Sequence, residues 1–158
     1  MNPFSTGRIH SDGLPRQPGS YLLMLRLAAS TQIQVGRLGR IEFRRGWYAY
    51  AGSAFGPGGL AGRLRHHLRP VQKPHWHIDY LRTHARLMEA WMVVGPPRRE
   101  HDWAQVMAEG PGAGKQVRGF GCSDCQCPSH LLYLGRRPED DLIRIKLGAG
   151  VLHWVKLM

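Results

Sequence analysis

The chain has 158 residues, with 22 Lys or Arg against 11 Asp or Glu, so its formal net charge is +11 when the histidines are neutral. This length supports one domain whose core needs no disulfide bonds. Apolar residues make up 42% of the chain and lie in short stretches interrupted by Arg, which argues against disorder and against a membrane span. The N-terminal segment lacks the apolar run of a secretory signal, so we expect a cytoplasmic protein.

The positive charge indicates an anionic partner. Eighteen of the 22 basic residues are Arg, whose planar guanidinium group suits phosphate. Residues 1–79 carry eleven basic and three acidic residues (net +8), whereas residues 80–158 carry eleven and eight (net +3). We therefore expect a nucleic acid to contact the N-terminal half. A genome rich in G and C would also give an Arg-rich chain, and composition does not separate the two explanations.

The first half of the chain predicts a small antiparallel sheet. Residues 1–18 are rich in Pro, Gly, Ser and Arg, and we expect a mobile leader there. A near-continuous apolar run over residues 20–28 predicts a strand. Short alternating segments at 33–35 and 41–43 predict a hairpin, and the aromatic residues 47–51 predict another strand.

Helices are predicted on either side of this sheet. Leu60, Leu64 and Leu68 recur every four residues, which predicts a helix that carries Arg63 and His67 on its flank. The remaining segments predict a short helix over 75–86, a strand over 87–94, a helix over 98–109, a loop over 110–121 and a strand over 129–134. Together these elements predict an α+β fold, an α/β sandwich with a mostly antiparallel central sheet flanked by helices.

This pattern predicts one domain over residues 19–135. A charged linker follows over residues 136–141. We expect residues 136–158 to form a C-terminal extension, either an edge hairpin or a loosely attached tail.

Several motifs, taken in order, resemble the GIY-YIG endonucleases. The motif GSY at residues 19–21 opens one strand, YAGS at residues 50–53 closes another, and Arg63 and His67 follow on the next helix. The segments HWHIDYL and GFGCSDCQCPSHLLY resemble the small stand-alone Uri-type branch of that superfamily. The resemblance runs from about residue 19 to residue 133. Ser20 and Ala51 replace the middle Ile of each tripeptide, and the extra hairpin around residues 36–45 accounts for the wide spacing of the two tyrosines.

The resemblance implies a metal-dependent endonuclease that hydrolyses phosphodiester bonds of DNA or another nucleic acid. It implies that Tyr21 or Tyr50 is the general base, while the other tyrosine positions the water. It assigns Arg63 to the scissile phosphate and His67 to a supporting hydrogen bond. A tyrosine base needs a pKa below its ordinary value of about 10, and we expect nearby Arg and metal-bound water to lower it.

The same resemblance implies one metal-binding Glu on a helix after the third strand of the core sheet. Glu100 lies at that place, and a single carboxylate suits Mg²⁺ or Mn²⁺. Glu89, in a predicted strand, is the alternative ligand. Glu100 as an ordinary first-turn acid that complements the helix dipole remains the competing interpretation.

Other polar residues near these motifs are candidates for nucleic-acid contacts. They are Ser53, Arg65, Arg69, His75 and His77. His75, His77 and Asp79 alternate as they would along one face of an extended segment. Such a face suits either a Zn²⁺ site or a polar rim beside the cleft.

A cysteine-rich loop is the last candidate site. Cys122, Cys125 and Cys127 are too few and too closely spaced for a disulfide framework, so we expect reduced thiols or metal ligands. With His130 they offer four ligands to Zn²⁺, although structural zinc sites normally join two separated pairs. The alternative is a tight loop lining the cleft, in which Asp124 caps backbone groups.

Two functions therefore remain open at this point. The first is the endonuclease, and the second is a nucleic-acid-binding module, with or without a stabilising zinc ion, that does not cleave efficiently. A general phosphate-binding protein is a distant third, because the loop at residues 56–59 lacks the Gly-Lys-Ser/Thr ending of a P-loop. The preferred nucleic acid and the oligomeric state are not indicated by the residues.

Overall fold

The structure is a computed structural model that describes residues 8–122, 126 and 128–156. Within these residues the central sheet has seven strands: β1 (Arg8–Ile9), β2 (Gly19–Leu27), β5 (Gly46–Ala54), β6 (Arg86–Val94), β7 (Lys115–Gln116), β8 (Leu131–Gly135) and β9 (Leu152–Val155). Their spatial order is β1-β9-β6-β2-β5-β8-β7. Every neighbouring pair is antiparallel except β1 with β9.

A hairpin and four helices surround this sheet in the described part of the chain. The hairpin consists of β3 (Thr31–Val35) and β4 (Gly39–Phe43), and the helices are α1 (Gly59–Leu68), α2 (His77–Arg82), α3 (Glu100–Met107) and α4 (Asp140–Leu147). The predicted α+β sandwich is confirmed. The hairpin predicted between the two tyrosine motifs is also confirmed, with Ile33 opposite Ile41.

The central strands are covered on both faces. Alternate residues of β2 point to opposite sides, as the pleat of a strand requires. Tyr21 and Leu23 pack in one core with α1 and α2, whereas Leu22 and Met24 pack in a second core with α3 and α4. This double burial explains why the sequence of β2 is a continuous apolar run rather than an alternating one.

The N-terminal segment differs from the predicted mobile leader. β1 pairs with β9, and Leu14 is buried. The amide of Ala61 donates to the carbonyl oxygen of Pro15. Residues 8–18 are therefore held by the domain, through backbone pairing that composition does not reveal, while residues 1–7 lie outside the described residues.

The C-terminal segment also differs from prediction, and the edge hairpin is wrong. Residues 140–147 form α4, whose Ile143 and Leu147 are buried in the core shared with α3. β9 pairs with β6 on one side and β1 on the other, so it lies inside the sheet. Ile143 and Leu147 are four residues apart, which is the spacing of a helix that buries one face.

Two smaller differences concern the loops and the second helix. Lys115–Gln116 form a short strand within the predicted loop, and α2 begins at His77 instead of residue 75. Each helix in the described ranges is too short or too polar to cross a membrane.

Candidate active site

A cleft of about 470 Å³ lies beside the N-terminal end of β2 and the C-terminal end of β5. The antiparallel register places Tyr21 opposite Gly52, so both tyrosine motifs meet at one end of the sheet. Arg63 and His67 reach the cleft from α1, and Glu100 reaches it from the first position of α3. The cleft thus brings together the four residues that the resemblance assigned to catalysis and the Glu100 carboxylate, with Tyr50 on the adjoining strand.

Tyr21 and His67 form a buried hydrogen-bonded pair. The Tyr21 hydroxyl lies 3.0 Å from Nε2 of His67, which is only 1% exposed. Burial lowers the pKa of His67 to about 3, assisted by the positive charge of Arg82. The imidazole is therefore neutral at pH 7. Its Nδ1 atom is buried and makes no hydrogen bond to any described residue.

The surrounding protein raises the pKa values of both tyrosines, although Arg63 acts in the expected, lowering direction. Burial raises the pKa of Tyr21 to about 12, although the adjacent Arg63 guanidinium opposes this change. Burial also raises the pKa of Tyr50 well above 10, and the neighbouring Tyr21 and Glu100 add to the effect. Desolvation disfavours the phenolate more than one Arg stabilises it. Both phenols are protonated at neutral pH.

Arg63 is held in place by an aromatic ring that sequence reasoning missed. Its guanidinium carbon lies 4.3 Å from the centroid of Trp76, in the geometry of a cation–π contact. The Trp76 ring also packs edge-on against His66, at a centroid distance of 4.7 Å. The position of this Trp between two histidines in HWHIDYL was the available signal.

Glu100 presents a carboxylate to the cleft. Its backbone is anchored through the preceding residue, because the Arg99 amide donates to Oγ of Ser20 at 2.8 Å. The Glu100 side chain is 17% exposed, and Nε2 of His101 lies 3.8 Å from Oε1, beyond hydrogen-bond range. Among the described residues that line the cleft it is the one carboxylate. Its hard oxygen ligands fit Mg²⁺ or Mn²⁺.

A second arginine, Arg98, lines the cleft. Arg98 donates from Nη1 to Oγ of Ser53 at 3.2 Å and packs over the Phe55 ring at 4.8 Å. Ser53 therefore lines the cleft, as expected for a residue near substrate, whereas Arg98 was missed. The pair of arginines directly before α3 was its signal in the sequence.

The other predicted nucleic-acid contacts lie outside the cleft lining. Arg65, Arg69 and His75 are exposed on α1 and the following loop. His77 accepts the backbone N–H of Gly121 on Nδ1 at 2.9 Å, so it braces the loop before β8. Burial lowers the pKa of His77.

The predicted extended face of His75, His77 and Asp79 is wrong, because Asp79 caps a helix. Its Oδ2 atom accepts the backbone N–H groups of His75 and Trp76 at 2.9 and 3.0 Å. Burial favours the neutral acid, but these bonds and the one from His66 outweigh it and lower the pKa of Asp79. A carboxylate at this position satisfies the orphan amides of the first turn.

A different set of side chains has the spacing of a metal site. Donor atoms of His66, His67 and Asp79 lie within 4.8 Å of one another. Oδ1 of Asp79 already accepts from Nε2 of His66 and from Arg82, at 3.2 and 3.3 Å. A cation would have to displace the Arg82 guanidinium, so these contacts do not favour metal binding, and the His66 ring instead packs edge-on against the His67 ring at a centroid distance of 5.3 Å.

Glu89 is not the alternative metal ligand of the cleft. It is buried, and it accepts two guanidinium bonds from Arg137 and one bond from Nε2 of His153 at 2.7 Å. Burial favours the neutral acid, but Arg137 and His153 outweigh it and lower the pKa of Glu89 to about 2. Its strand position pairs it with Met24, toward the core that contains α3 and α4.

The cysteine-rich loop is only partly described. Asp124, Cys125 and Cys127 lie outside the described residues, and Sγ of Cys122 donates to the Phe120 carbonyl at 3.4 Å. His130 lines the cleft, with Nε2 at 3.3 Å from Nδ1 of His101, and burial lowers its pKa. Zinc binding by this loop stays a prediction.

Residues 20–149 match the family described as Domain of unknown function DUF123. The chain belongs to this family. The match to this domain of unknown function includes every residue of the cleft and also α4, which ends at residue 147. No curated protein and no solved structure matches the chain.

Proposed function

We propose that this protein is a metal-dependent endonuclease with a GIY-YIG-type site, which hydrolyses phosphodiester bonds of DNA or another nucleic acid. The observation that carries the proposal is the convergence of Tyr21, Tyr50, Arg63, His67 and Glu100 in one cleft. Among the described residues that line the cleft, Arg63 and Arg98 outnumber the single carboxylate, so the cleft favours a phosphate diester.

Arg63 binds a non-bridging oxygen of the scissile phosphate in this proposal. A guanidinium group offers five N–H donors in a fixed plane, and negative charge grows on the phosphate oxygens as water attacks. The ring of Trp76 keeps the guanidinium in place without neutralising it. Arg63 therefore stabilises charge at little cost in side-chain entropy.

Tyr21, rather than Tyr50, serves as the general base. Its hydroxyl already contacts Nε2 of His67, a neutral imidazole that accepts a proton. The attacking water gives its proton to the Tyr21 oxygen while the Tyr21 proton passes to Nε2 of His67. The water oxygen bonds to phosphorus, the bond to the leaving oxygen breaks, and a solvent water protonates that oxygen. No free phenolate forms, so a pKa of about 12 is compatible with this role.

Two acidic residues complete the proposed site. Burial and the positive charge of Arg82 disfavour the imidazolium form of His67 after proton transfer, and the charge of Asp79 partly offsets them. Glu100 would hold Mg²⁺ or Mn²⁺, and the bound ion would neutralise charge on the phosphate and its leaving oxygen.

The proposal is tested by incubating single-stranded, duplex and branched DNA, and RNA, with the protein and Mg²⁺ or Mn²⁺. Y21F, R63A and E100Q should each lower the cleavage rate by about 100-fold or more. Y80F, R37A and E109Q remove the same groups outside the cleft and should cleave at the wild-type rate. Equal rates in all seven proteins, or no product with the wild type, would refute the proposal.

A nucleic-acid-binding module without cleavage is the second candidate, and the raised pKa values of both tyrosines favour it. Such a protein would bind nucleic acid with a steep salt dependence yet leave it intact with either metal. Metal analysis of protein purified without chelator tests its zinc-stabilised version, because a zinc content near zero excludes that version.

A further inference from the structure

A groove of about 440 Å³ at the other end of the central strands is lined by Arg26, Arg45, Arg136 and Arg137, and we call it the arginine groove. We propose that the arginine groove is a second phosphate-binding site, which holds the backbone of a nucleic acid outside the cleft. The class of ligand rests on the proposed function, whereas the anion site itself rests on the geometry below.

Three neighbouring strands place arginines at the same end of the sheet. Arg26 of β2 is the cross-strand partner of Trp47 in β5, and Trp47 is the partner of Gly135 in β8. Arg45 directly precedes β5, and Arg136 directly follows β8. Because adjacent strands lie about 4.8 Å apart, the three positions span roughly 10 Å. That span covers about three steps between successive phosphates of one strand, which are spaced about 3.4 Å along a duplex axis.

Three of these guanidinium groups have no anionic partner. Arg26, Arg45 and Arg136 are exposed, and none forms an ion pair with any described residue. Arg26 is also the cross-strand partner of Arg86. Like charges placed directly opposite each other destabilise a sheet. A bound phosphate would relieve this repulsion.

The backbone that carries these side chains is fixed. The amide of Arg45 donates to Oγ of Ser30 at 2.8 Å, and its carbonyl accepts the hydroxyl of Tyr133 at 2.8 Å. Next to Arg136, the Arg137 side chain donates two bonds to Glu89. A fixed frame lowers the entropy cost of binding an anion.

The remaining lining keeps the groove open and positive. A Cβ at Gly46 would lie 2.7 Å from the Gly135 carbonyl oxygen. Both residues are glycines, so neither β5 nor β8 places a side chain in the groove at this point. The carboxylates of Glu89 and Asp140 both bind Arg137, and neither forms an ion pair with Arg26, Arg45 or Arg136. The half-buried indole of Trp47 adds a surface for base stacking, which favours a nucleic acid over a simple polyanion.

The arginine groove is separate from the cleft. Arg26 follows Tyr21 by five residues along β2, which corresponds to about 17 Å. An odd separation also places the two side chains on opposite faces of the sheet. One phosphate cannot contact both sites.

The first experiment uses inorganic pyrophosphate as the probe and follows the arginine Nε–Hε signals by NMR. We expect the signals of Arg26, Arg45 and Arg136 to shift upon titration in the wild type. The indole N–H signal of Trp47, which lines the same groove and is kept in the triple variant R26Q/R45Q/R136Q, should shift in the wild type but not in that variant. Signals that do not move at millimolar pyrophosphate would overturn the anion site.

The second experiment measures binding of a 30-base-pair duplex and of a single strand by fluorescence anisotropy, in EDTA and at several salt concentrations. The control variant R37Q/R40Q/R118Q removes the same charge from exposed arginines that line neither the arginine groove nor the cleft. The groove variant should reduce the slope of log K against log salt by about two to three, and the control by less than one.

Equal slopes of log K against log salt for both variants would refute nucleic acid as the ligand of the arginine groove, even if pyrophosphate binds there. Because EDTA removes any need for cleavage, a wild-type protein that binds through the groove but never cuts DNA would refute only the proposed function. Thermal unfolding of both triple variants checks that each is folded.

Discussion

A substitution at Gly52, the glycine of the second tyrosine motif, should disturb the Tyr21 side chain. A Cβ added at Gly52 would lie 2.4 Å from the hydroxyl and from Cζ of Tyr21. Carbon and oxygen atoms do not approach so closely, so in G52A the Tyr21 ring must move by about 1 Å toward ordinary contact distance. Tyr21 is 2% exposed and surrounded by core residues, which leaves it little room.

The cost of G52A follows from two changes. Overpacking a buried site costs about 1–3 kcal/mol. A 1 Å shift also stretches the 3.0 Å contact between Tyr21 and His67 beyond hydrogen-bond range, which removes about 1 kcal/mol more. We therefore expect G52A to lower the free energy of unfolding by about 2–4 kcal/mol in urea denaturation, and to lower the cleavage rate of the protein that stays folded.

Gly62 provides the matched control, because it is exposed in α1 and an added Cβ would meet only the Pro57 carbonyl oxygen at 3.7 Å. G62A should raise the free energy of unfolding by about 1 kcal/mol through helix propensity. If G52A were as stable as wild type and fully active, the role assigned to the Tyr21 and His67 pair would be refuted.

Two further predictions concern buried charge. The pKa of His67 is about 3 in the folded protein against 6.5 ordinarily, so the unfolded chain binds the proton first and the free energy of unfolding falls as pH falls from about 6.5 toward 3. In urea denaturation, H67Q should reduce this dependence of the free energy of unfolding on pH. H84Q, at an exposed position, should keep it. The pKa of Glu89 is about 2 against 4.5, so its contribution is complete above about 4.5 and is lost toward 2. E89Q should therefore cost about 3 kcal/mol at pH 7 and little near pH 2, while a cost at pH 7 no larger than that of exposed E109Q would contradict the ion pair.

Local patterns in the sequence were sufficient to predict the central strands and the first helix. The apolar run of β2 and the four-residue spacing of leucines in α1 depend on burial of nearby residues, which periodicity reports directly. The choice of Tyr21, Tyr50, Arg63, His67 and Glu100 depended on the ordered motifs of the resemblance. The structure brings these five residues into one cleft, and the chemistry proposed for them is tested by the cleavage assay.

Patterns along the chain gave the wrong neighbours for other residues. The sequence pattern placed Asp79 in an alternating strand, yet its carboxylate accepts the backbone N–H groups of His75 and Trp76, directly before α2. Glu89 looked available to a metal, yet Arg137 lies 48 residues later and binds it. Such partners are distant in sequence, so no local pattern indicates them.

The positive charge also separates what the sequence determines from what the tertiary structure decides. The sequence by itself determined the amount of positive charge, its excess in the first half, and the guanidinium chemistry that suits phosphate. Only the tertiary structure decided where that charge lies, because strand pairing carries Arg26 and Arg45 to the end of the sheet away from the cleft and beside Arg136. Burial likewise decided the protonation of Tyr21, since desolvation depends on the atoms packed around a group and not on its chain neighbours.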